Sequence, residues 1–491
     1  MLRRMELNSV KDMSADVVET DVLIVGAGPT GLALGVDLAR RGVRALLVER
    51  ADTLFPGSRG KGLQPRTLEV LDDLGVLDEI RTAGGRYPVG MIWRDGVRQG
   101  EHRMFDESTP TEAEPYLWAW MLPQWRTQQI LHARLRELGG DVAFGRELTA
   151  LVQDARSVTA SFTAGPAVRA RYAVAADGGR SAVRGSLGIG MRGETVDPQP
   201  ILVADVRITG LDRDNWHIFP PADGGGFLAV CPLAGTEDFQ VTAQFPPGVT
   251  PDLSLEGLRK VVAERSHLSP DAVTEVRWAS AFRPRTALAE RFREGRVFLA
   301  GDAAHLHSPA GGQGLNTSVQ DAYNLGWKLA AVLTGGASDA LLDSYEDERR
   351  PVAASVLGLS TQVHRGEVRR GAATMQLGLG YRDSALTEET RTSLAGDALR
   401  AGDRAPDGRR GGVRLFDVFR GPHWTLLAVG TDASLPAFDG DAVRTVRIPA
   451  YEAYGTGVFL VRPDGYVGWA GDSAQGAAGY LARVTGTAGR G

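Results

Sequence analysis

The chain has 491 residues, 43% of them hydrophobic and 23% charged, with a formal net charge of −5. That length exceeds one ordinary hydrophobic core, so two or three domains are expected. The acidic balance argues against a nucleic-acid partner, the lone Cys231 cannot form an internal disulfide or a cysteine-rich metal site, and no run approaches the roughly 20 uninterrupted apolar residues of a membrane span.

Residues 1–20 lack the apolar core of a signal peptide and read as a disordered extension, with Met13 a candidate natural start and a reducing cytoplasm the expected location. An apolar run at 22–25, the sequence Gly-Ala-Gly-Pro-Thr-Gly, a helical stretch to Arg40 and a second strand at 44–48 make a β-α-β unit. Helices are expected over 67–74 and 124–138, and short alternating strands around 142–162 and 170–175 lead into Asp177. From 201 to 245 the pattern changes: ILVADVRI, GFLAVCPL and FQVTAQF read as strands of a separate antiparallel sheet. A buried strand at 296–300 precedes Gly301-Asp302, a long helix is expected over 317–333, and more helix follows Pro351. The polar stretch 401–412 reads as a linker. The tail, with WTLLAVG, GVFLVRPDGYVGW and a turn at Pro463-Asp464-Gly465, reads as a third, small α/β domain.

Gly26, Gly28 and Gly31 form G-x-G-x-x-G between a strand and a helix. The first glycine permits the tight turn, the second lets backbone approach a pyrophosphate, and the third lets the helix pack on the strand. Pro29 and Thr30 complete the loop, whose phosphates would rest on free N–H groups at the positive end of the helix. Glu49 ends the next strand, where a carboxylate binds ribose hydroxyls, with Arg50 beside it. This constellation indicates a dinucleotide without separating FAD from NAD.

Two further segments decide for FAD. YAVAADGGRSAVRGSLGI carries Asp177, Gly178, Arg180, Ser181 and Arg184; RVFLAGDAAHLHSPAGGQGLNTSVQDAYNLGWKL carries Gly301, Asp302, His305, Pro309, Gly311, Gly312, Gln313, Gly314, Leu315 and Asn316. The latter reads as a strand ending in a carboxylate, then a glycine-rich loop, then a helix. The carboxylate can accept from polyol hydroxyls, the glycines let amides approach a flat ring edge, and a helix N-terminus favours the negative charge a reduced flavin carries. From Asp21 to Val352 the chain thereby resembles the group A flavoprotein monooxygenases of the p-hydroxybenzoate hydroxylase fold, in particular the bacterial aromatic polyketide hydroxylases and related phenol hydroxylases.

The resemblance implies an α/β protein with an α+β substrate domain. A Rossmann-like FAD-binding domain would span 21–190 and 285–400, an antiparallel substrate domain 191–284, and a thioredoxin-like domain 401–491, with 90–122 open to either of the first two. It implies that Asp302 holds the ribityl chain and that the 309–316 loop, with Pro309, Gly311 and Gly312, lines the isoalloxazine. It also implies that the Asp177/Arg180 region is shared between the FAD pyrophosphate and the nicotinamide cofactor, and that Arg59 and Gln124 touch FAD. The implied chemistry is reduction of FAD by NADPH or NADH, uptake of oxygen as a C4a-hydroperoxide, and transfer of the distal oxygen to an electron-rich aromatic carbon. The chain departs from the family pattern at Gln128, often Glu, and at Ala175, often Gly. Its C-terminal domain has no C-x-x-C and is therefore given a structural or oligomerisation role in a monomer or homodimer.

The remaining conspicuous residues divide between core and pocket. Trp216, Phe219 and Phe227 are candidates for an aromatic substrate pocket, while Tyr116, Trp118, Trp120 and Trp125 alternate as on a strand. His305 and His307 lack a third ligand cluster, so no metal is expected, and Cys231 reads as a core thiol. No base that would polarise a substrate phenol can be named. Baeyer–Villiger or epoxidising chemistry on the same fold stays open. A flavin-dependent halogenase is disfavoured because NWHIFPP holds one tryptophan where W-x-W-x-I-P is needed and Lys61 lies inside the FAD-contact segment. A non-catalytic flavoprotein is the reading from another class.

Overall fold

Short apolar segments, Val18–Val25, Ala45–Val48, Val168–Ala175 and Val297–Leu299, form the parallel centre of an eight-stranded sheet. The computed structural model describes residues 17–103, 109–221, 226–438 and 440–486. Across the sheet the order is Arg293–Glu294, Val297–Leu299, Val168–Ala175, Val18–Val25, Ala45–Val48 and Val142–Ala143, with Leu148–Gln153 and Val158–Phe162 as an antiparallel flank. The chain starts in the middle, moves outward on one side and returns on the other. The reversal falls beside Val18–Val25, and in such sheets ligands bind outside the carboxyl ends of the strands at that point. The Pro29–Arg40 helix covers this position, packed between the Gln124–Glu137 and Gly314–Leu333 helices. Pro29 begins it at no cost, because the first N–H of a helix has no intrahelical partner.

A seven-stranded sheet follows, in the order Val273–Phe282, Ile201–Ile208, Phe239–Gln244, Leu228–Pro232, Asn215–Phe219, Val89–Arg94, Val97–His102. It is antiparallel except where Asn215–Phe219 meets Val89–Arg94. Leu202, Ala204, Val206, Leu228, Val230, Val241 and Ala243 point into one core under the Leu255–Arg265 helix. The 90–122 segment is divided: its first strands extend this sheet, while Trp120–Met121 pairs with Gly62–Leu63 and Gly85–Arg86. A third sheet, Glu388–Glu389, Val467–Gly471, Gly457–Val461, Trp424–Val429 and Val443–Ile448, closes the chain. No helix among the described residues is long and apolar enough to cross a membrane.

Three expectations change. Val18–Thr20, placed in the extension, are the start of the first strand, because their backbone pairs with Val168–Ala170; residues 1–16 lie outside the described residues. The 401–412 stretch is not a free linker, since residues 404–407 are buried. Its polarity is matched inside the protein: Arg404 pairs with Glu69 at 2.9 Å, Asp407 accepts from the Arg414 side chain, and the Tyr451 and Tyr454 hydroxyls donate to the carbonyls of Asp407 and Pro406. The 116–125 aromatics do not share a strand. Tyr116 donates to Asp72, Trp120 donates to the Ile80 carbonyl, and Trp125 sits on a helix.

Candidate active site

Three turns meet at the carboxyl ends of the central strands. Gly26 has φ +107°, and a Cβ there would lie 2.4 Å from the Ala176 carbonyl oxygen; a Cβ on Gly31 would lie 2.0 Å from the Gly26 carbonyl oxygen. A Cβ on Gly28 would meet no protein atom within 4 Å. The turn is therefore closed on the protein side and open at Gly28, as a bed for pyrophosphate requires. Glu49 accepts from the N–H of Ala27 at 2.9 Å and of Ala51 at 3.0 Å, which fixes its carboxylate at the edge of the loop, beside exposed Arg50. Thr30 is buried and faces Gly301.

The second turn is locked to the third. Ser181 caps the Ala182–Ser186 helix, Asp177 accepts from the Val183 N–H at 3.2 Å, and Arg184 donates to the carbonyls of Gly179 and Ala303. The other Asp177 oxygen is buried without a hydrogen-bond partner, and burial pushes this carboxyl up. Asp302 follows the Val297–Leu299 strand as an exposed residue, and desolvation of its carboxyl by the surrounding protein raises its pKa. The Gly314–Leu333 helix begins just beyond Gly312, which adopts φ +62°. It starts three residues before the expected boundary, and its first N–H groups are left for a ligand. These donors and the open backbone at Gly28 and Gly178 fit a flavin dinucleotide.

Several residues assigned to the cofactor also hold the loops. Asn316 is buried; its amide donates to the carbonyls of Gly62 at 2.9 Å and Gly312 at 2.8 Å, and accepts from the Gln64 N–H at 2.7 Å. Gln124 accepts from the Gly60 N–H at 3.0 Å. Arg59 is exposed and lies over the Phe55 and Trp278 rings. Behind the 309–316 loop, Asp321 bonds His305 at 2.6 Å and Arg349 at 2.7 Å, and His305 bonds His307 at 2.9 Å. Burial and the neighbouring His305 hold His307 well below its ordinary range.

The loop carrying Lys61 runs over the second sheet. There the register aligns Trp278, Asp205, Gln240 and Cys231 on successive strands, with Trp216 on the next. Alternation sends these side chains to the face opposite the sheet's own core. Lys61 Nζ donates to Gln240 Oε1 at 2.5 Å and lies 4.4 Å from the Trp216 ring centre. Tyr87 lies 6.1 Å from Trp216, ring to ring, with Arg370 in its electrostatic surroundings. Phe219 does not belong here: three residues from Trp216, it points to the other face and stacks on Trp93 at 6.1 Å. Phe227 is half-buried at the start of Leu228–Pro232.

Asp205 was not picked out by the sequence, although a carboxylate inside ILVADVRI is a signal. It is 2% exposed, and among the described residues neither of its oxygens makes a hydrogen bond of regular geometry. Burial pushes it up from 3.8 to about 6, against the opposing pull of Ser58 and Lys61. Between these values the folded chain binds the proton and the unfolded chain does not. Stability is therefore expected to fall as pH rises from about 4 to 6 and to stay lower above, by up to about 3 kcal/mol. Urea unfolding of Asp205→Asn beside the wild type checks this: the variant should match near pH 4 and be the more stable at pH 7. Equal stability at pH 7 would refute it.

The FAD binding domain family matches residues 19–360, and the aromatic-ring hydroxylase C-terminal family matches residues 396–488. A flavin-dependent monooxygenase of Mycobacteroides abscessus is 45% identical over 94% of this chain and 99% of its own length. The anhydrotetracycline hydroxylase of Streptomyces rimosus superposes with a TM-score of 0.76 at 33% identity, covering 96% of this chain and all of that one. An aklavinone-11 hydroxylase solved in ternary complex with FAD and aklavinone gives 0.77 at 29% identity with the same coverage.

Proposed function

Because the chain belongs to the family of FAD-binding aromatic-ring hydroxylases, we propose that it hydroxylates a polycyclic phenol held against the Trp216 face of the second sheet. It is an FAD-dependent monooxygenase, with NAD(P)H and O2 as co-substrates. When bound, FAD would supply the redox chemistry that couples NAD(P)H oxidation to oxygen activation.

This chain's residues do the rest. The Gly26–Gly31 turn with Pro29 and Thr30 takes the pyrophosphate on helix N–H groups, Glu49 takes ribose hydroxyls, and Arg50 and Arg59 lie at the outer edge of the site. Asp302 would accept from the ribityl hydroxyls. The first N–H groups of the Gly314–Leu333 helix, together with the 309–316 loop, receive the ring edge and the negative charge it gains on reduction. Asp177 and Gly178 shape the wall beside the pyrophosphate, and Gln124 and Asn316 keep the 60–64 loop in place. Trp216 and Tyr87 supply flat apolar surface for a fused-ring substrate, Phe227 lies along the same sheet, and closure of the loop over the sheet excludes water.

The observation that carries this reading is the Asn316 clamp. One buried amide binds both the glycine loop and the carbonyl of Gly62, next to Lys61, which supports a flavin bed adjacent to the aromatic face. The test is turnover under 18O2 with a panel of polycyclic phenols and NADPH or NADH. One labelled atom per product with matched NAD(P)H consumption is expected. Flavin reduction that no phenol accelerates, with no labelled product, would overturn the reading.

A further inference from the structure

Lysine is rare in this chain, and Lys61 is placed unlike a surface lysine. It is half-buried, with its ammonium on Gln240 and over the Trp216 ring, beside Cys231 and above Asp205. Its backbone carbonyl accepts from the Leu122 N–H at 2.9 Å, and its neighbours Gly60 and Gly62 are gripped by Gln124 and Asn316. A flexible side chain is thus carried on a fixed base, between the flavin loop and the aromatic face.

We propose that Lys61 holds the ionised hydroxyl oxygen of the substrate, so that the phenol binds as its phenolate and its proton passes to Asp205. This rests on the hydroxylase reading above. Before binding, the pocket holds an ammonium and a carboxylate. Afterwards it holds the ammonium, a phenolate and a neutral carboxyl. The substrate O–H breaks, the Asp205 O–H forms, and the net charge of the pocket does not change, which limits the cost of the exchange in a desolvated site.

Three observations support it. Neither Asp205 oxygen has a hydrogen-bond partner of regular geometry, and only the weaker pull of Ser58 and Lys61 opposes its taking up a proton. Burial pushes Asp205 up and Lys61 down, which brings the two groups toward a common range. Arg370 acts electrostatically on both Lys61 and Tyr87, which adds a second positive charge near the pocket. The other groups facing the pair are Ser58 on the lysine's own loop, Gln240 and Cys231 on the sheet, and Asp238. A phenolate is also the form the reaction needs, because the oxyanion feeds electron density to the ortho and para carbons that attack an electrophilic oxygen.

The test uses oxidised holoenzyme and 1,8-dihydroxyanthraquinone, whose visible band moves to longer wavelength when a phenolic proton is lost. Difference spectra against free FAD-enzyme report the bound form. With the wild type, the phenolate band is expected more than one pH unit below the pH at which the free probe ionises. Lys61→Met should bind the probe as the neutral phenol, at least tenfold more weakly, with FAD content unchanged. Lys61→Arg should restore the phenolate band, because charge and not the contact with Gln240 is what matters. Asp205→Asn should move the appearance of the band to higher pH. A neutral probe on the wild type, no binding at all, a phenolate band undiminished in Lys61→Met, or Lys61→Arg as deficient as Lys61→Met would each overturn the proposal. If phenols are hydroxylated by the wild type and by Lys61→Met at equal rates, only this inference falls; if no phenol is turned over by the wild type, the hydroxylase reading falls with it.

Discussion

Gly31→Ala is expected to weaken FAD binding by about 10- to 100-fold, the 1–3 kcal/mol typical of overpacking a tight site. The added methyl would sit 2.0 Å from the Gly26 carbonyl oxygen and 3.3 Å from Ile24. Neither can yield cheaply. Gly26 is at φ +107° with its own outer side against the backbone of Ala176 and Asp177, and Ile24 is a fully buried member of the central strand. The strain can be relieved only by moving the start of the Pro29–Arg40 helix away from the strand, and the N–H groups proposed to receive the pyrophosphate would move with it. Gly28→Ala separates this from a folding defect. Its methyl meets no protein atom within 4 Å, so that variant should fold and melt as the wild type while losing FAD to direct contact with the ligand. Titration of FAD into apo-protein, followed by flavin fluorescence, gives both constants. A dissociation constant for Gly31→Ala within twofold of the wild type would contradict the packing account.

Glu348→Gln is expected to destabilise the protein by about 3–5 kcal/mol, the range for removing one partner of a buried ion pair. The carboxylate is fully buried and accepts from Lys328 at 2.7 Å, from Arg462 at 2.6 and 2.9 Å, from Asn324 at 2.7 Å and from Ser384 at 2.7 Å. Arg462 has a second partner in Asp464 at 2.6 Å, so two cations face two anions. Removing one anion leaves a net positive charge in a site that water does not reach. Arg462 and Lys328 hold the Glu348 carboxyl far below its ordinary 4.5, whereas burial and like charge bring Lys328 down to about 8. The carboxylate's contribution is thus complete above pH 4.5 and lost as acid titrates it. Adding Lys328→Met to Glu348→Gln removes the surplus charge and should recover part of the loss. Urea unfolding at pH 7 measures all three proteins; a single variant within 1 kcal/mol of the wild type would show that the cluster is not held by charge.

What could be read from the sequence was what is written contiguously. The two glycine signatures and the Asp177 and Asp302 turns each occupy fewer than twenty consecutive residues, and backbone geometry leaves little choice about their residue types. The aromatic face was not legible in that way. Lys61, Asp205, Trp216, Cys231 and Gln240 come from five segments, and only the strand register sets them side by side. Asp205 and Lys61 nonetheless carried a signal, a carboxylate within an apolar strand and a lysine in a chain that otherwise uses arginine. Phe219 could have been set apart from Trp216 by parity alone, because an odd spacing on a strand puts two side chains on opposite faces. The 401–412 stretch reads as a linker because polar residues are usually exposed, yet Arg404 and Asp407 are polar and buried, and their partners, Glu69 and Arg414, lie elsewhere in the sequence.

The Asn316 side chain ties the 309–316 loop to the loop that carries Lys61: it bonds Gly312 at 2.8 Å on one side and Gly62 and Gln64 at 2.9 and 2.7 Å on the other. A rigid joint between the two proposed binding surfaces would make their affinities interdependent. Whatever factor a bound phenol adds to the retention of FAD, FAD must add to the retention of the phenol, since the coupling free energy belongs to the pair and is the same in either order. Weakening the joint, as Asn316→Ala would, should bring that shared factor toward one, even where each ligand alone still binds.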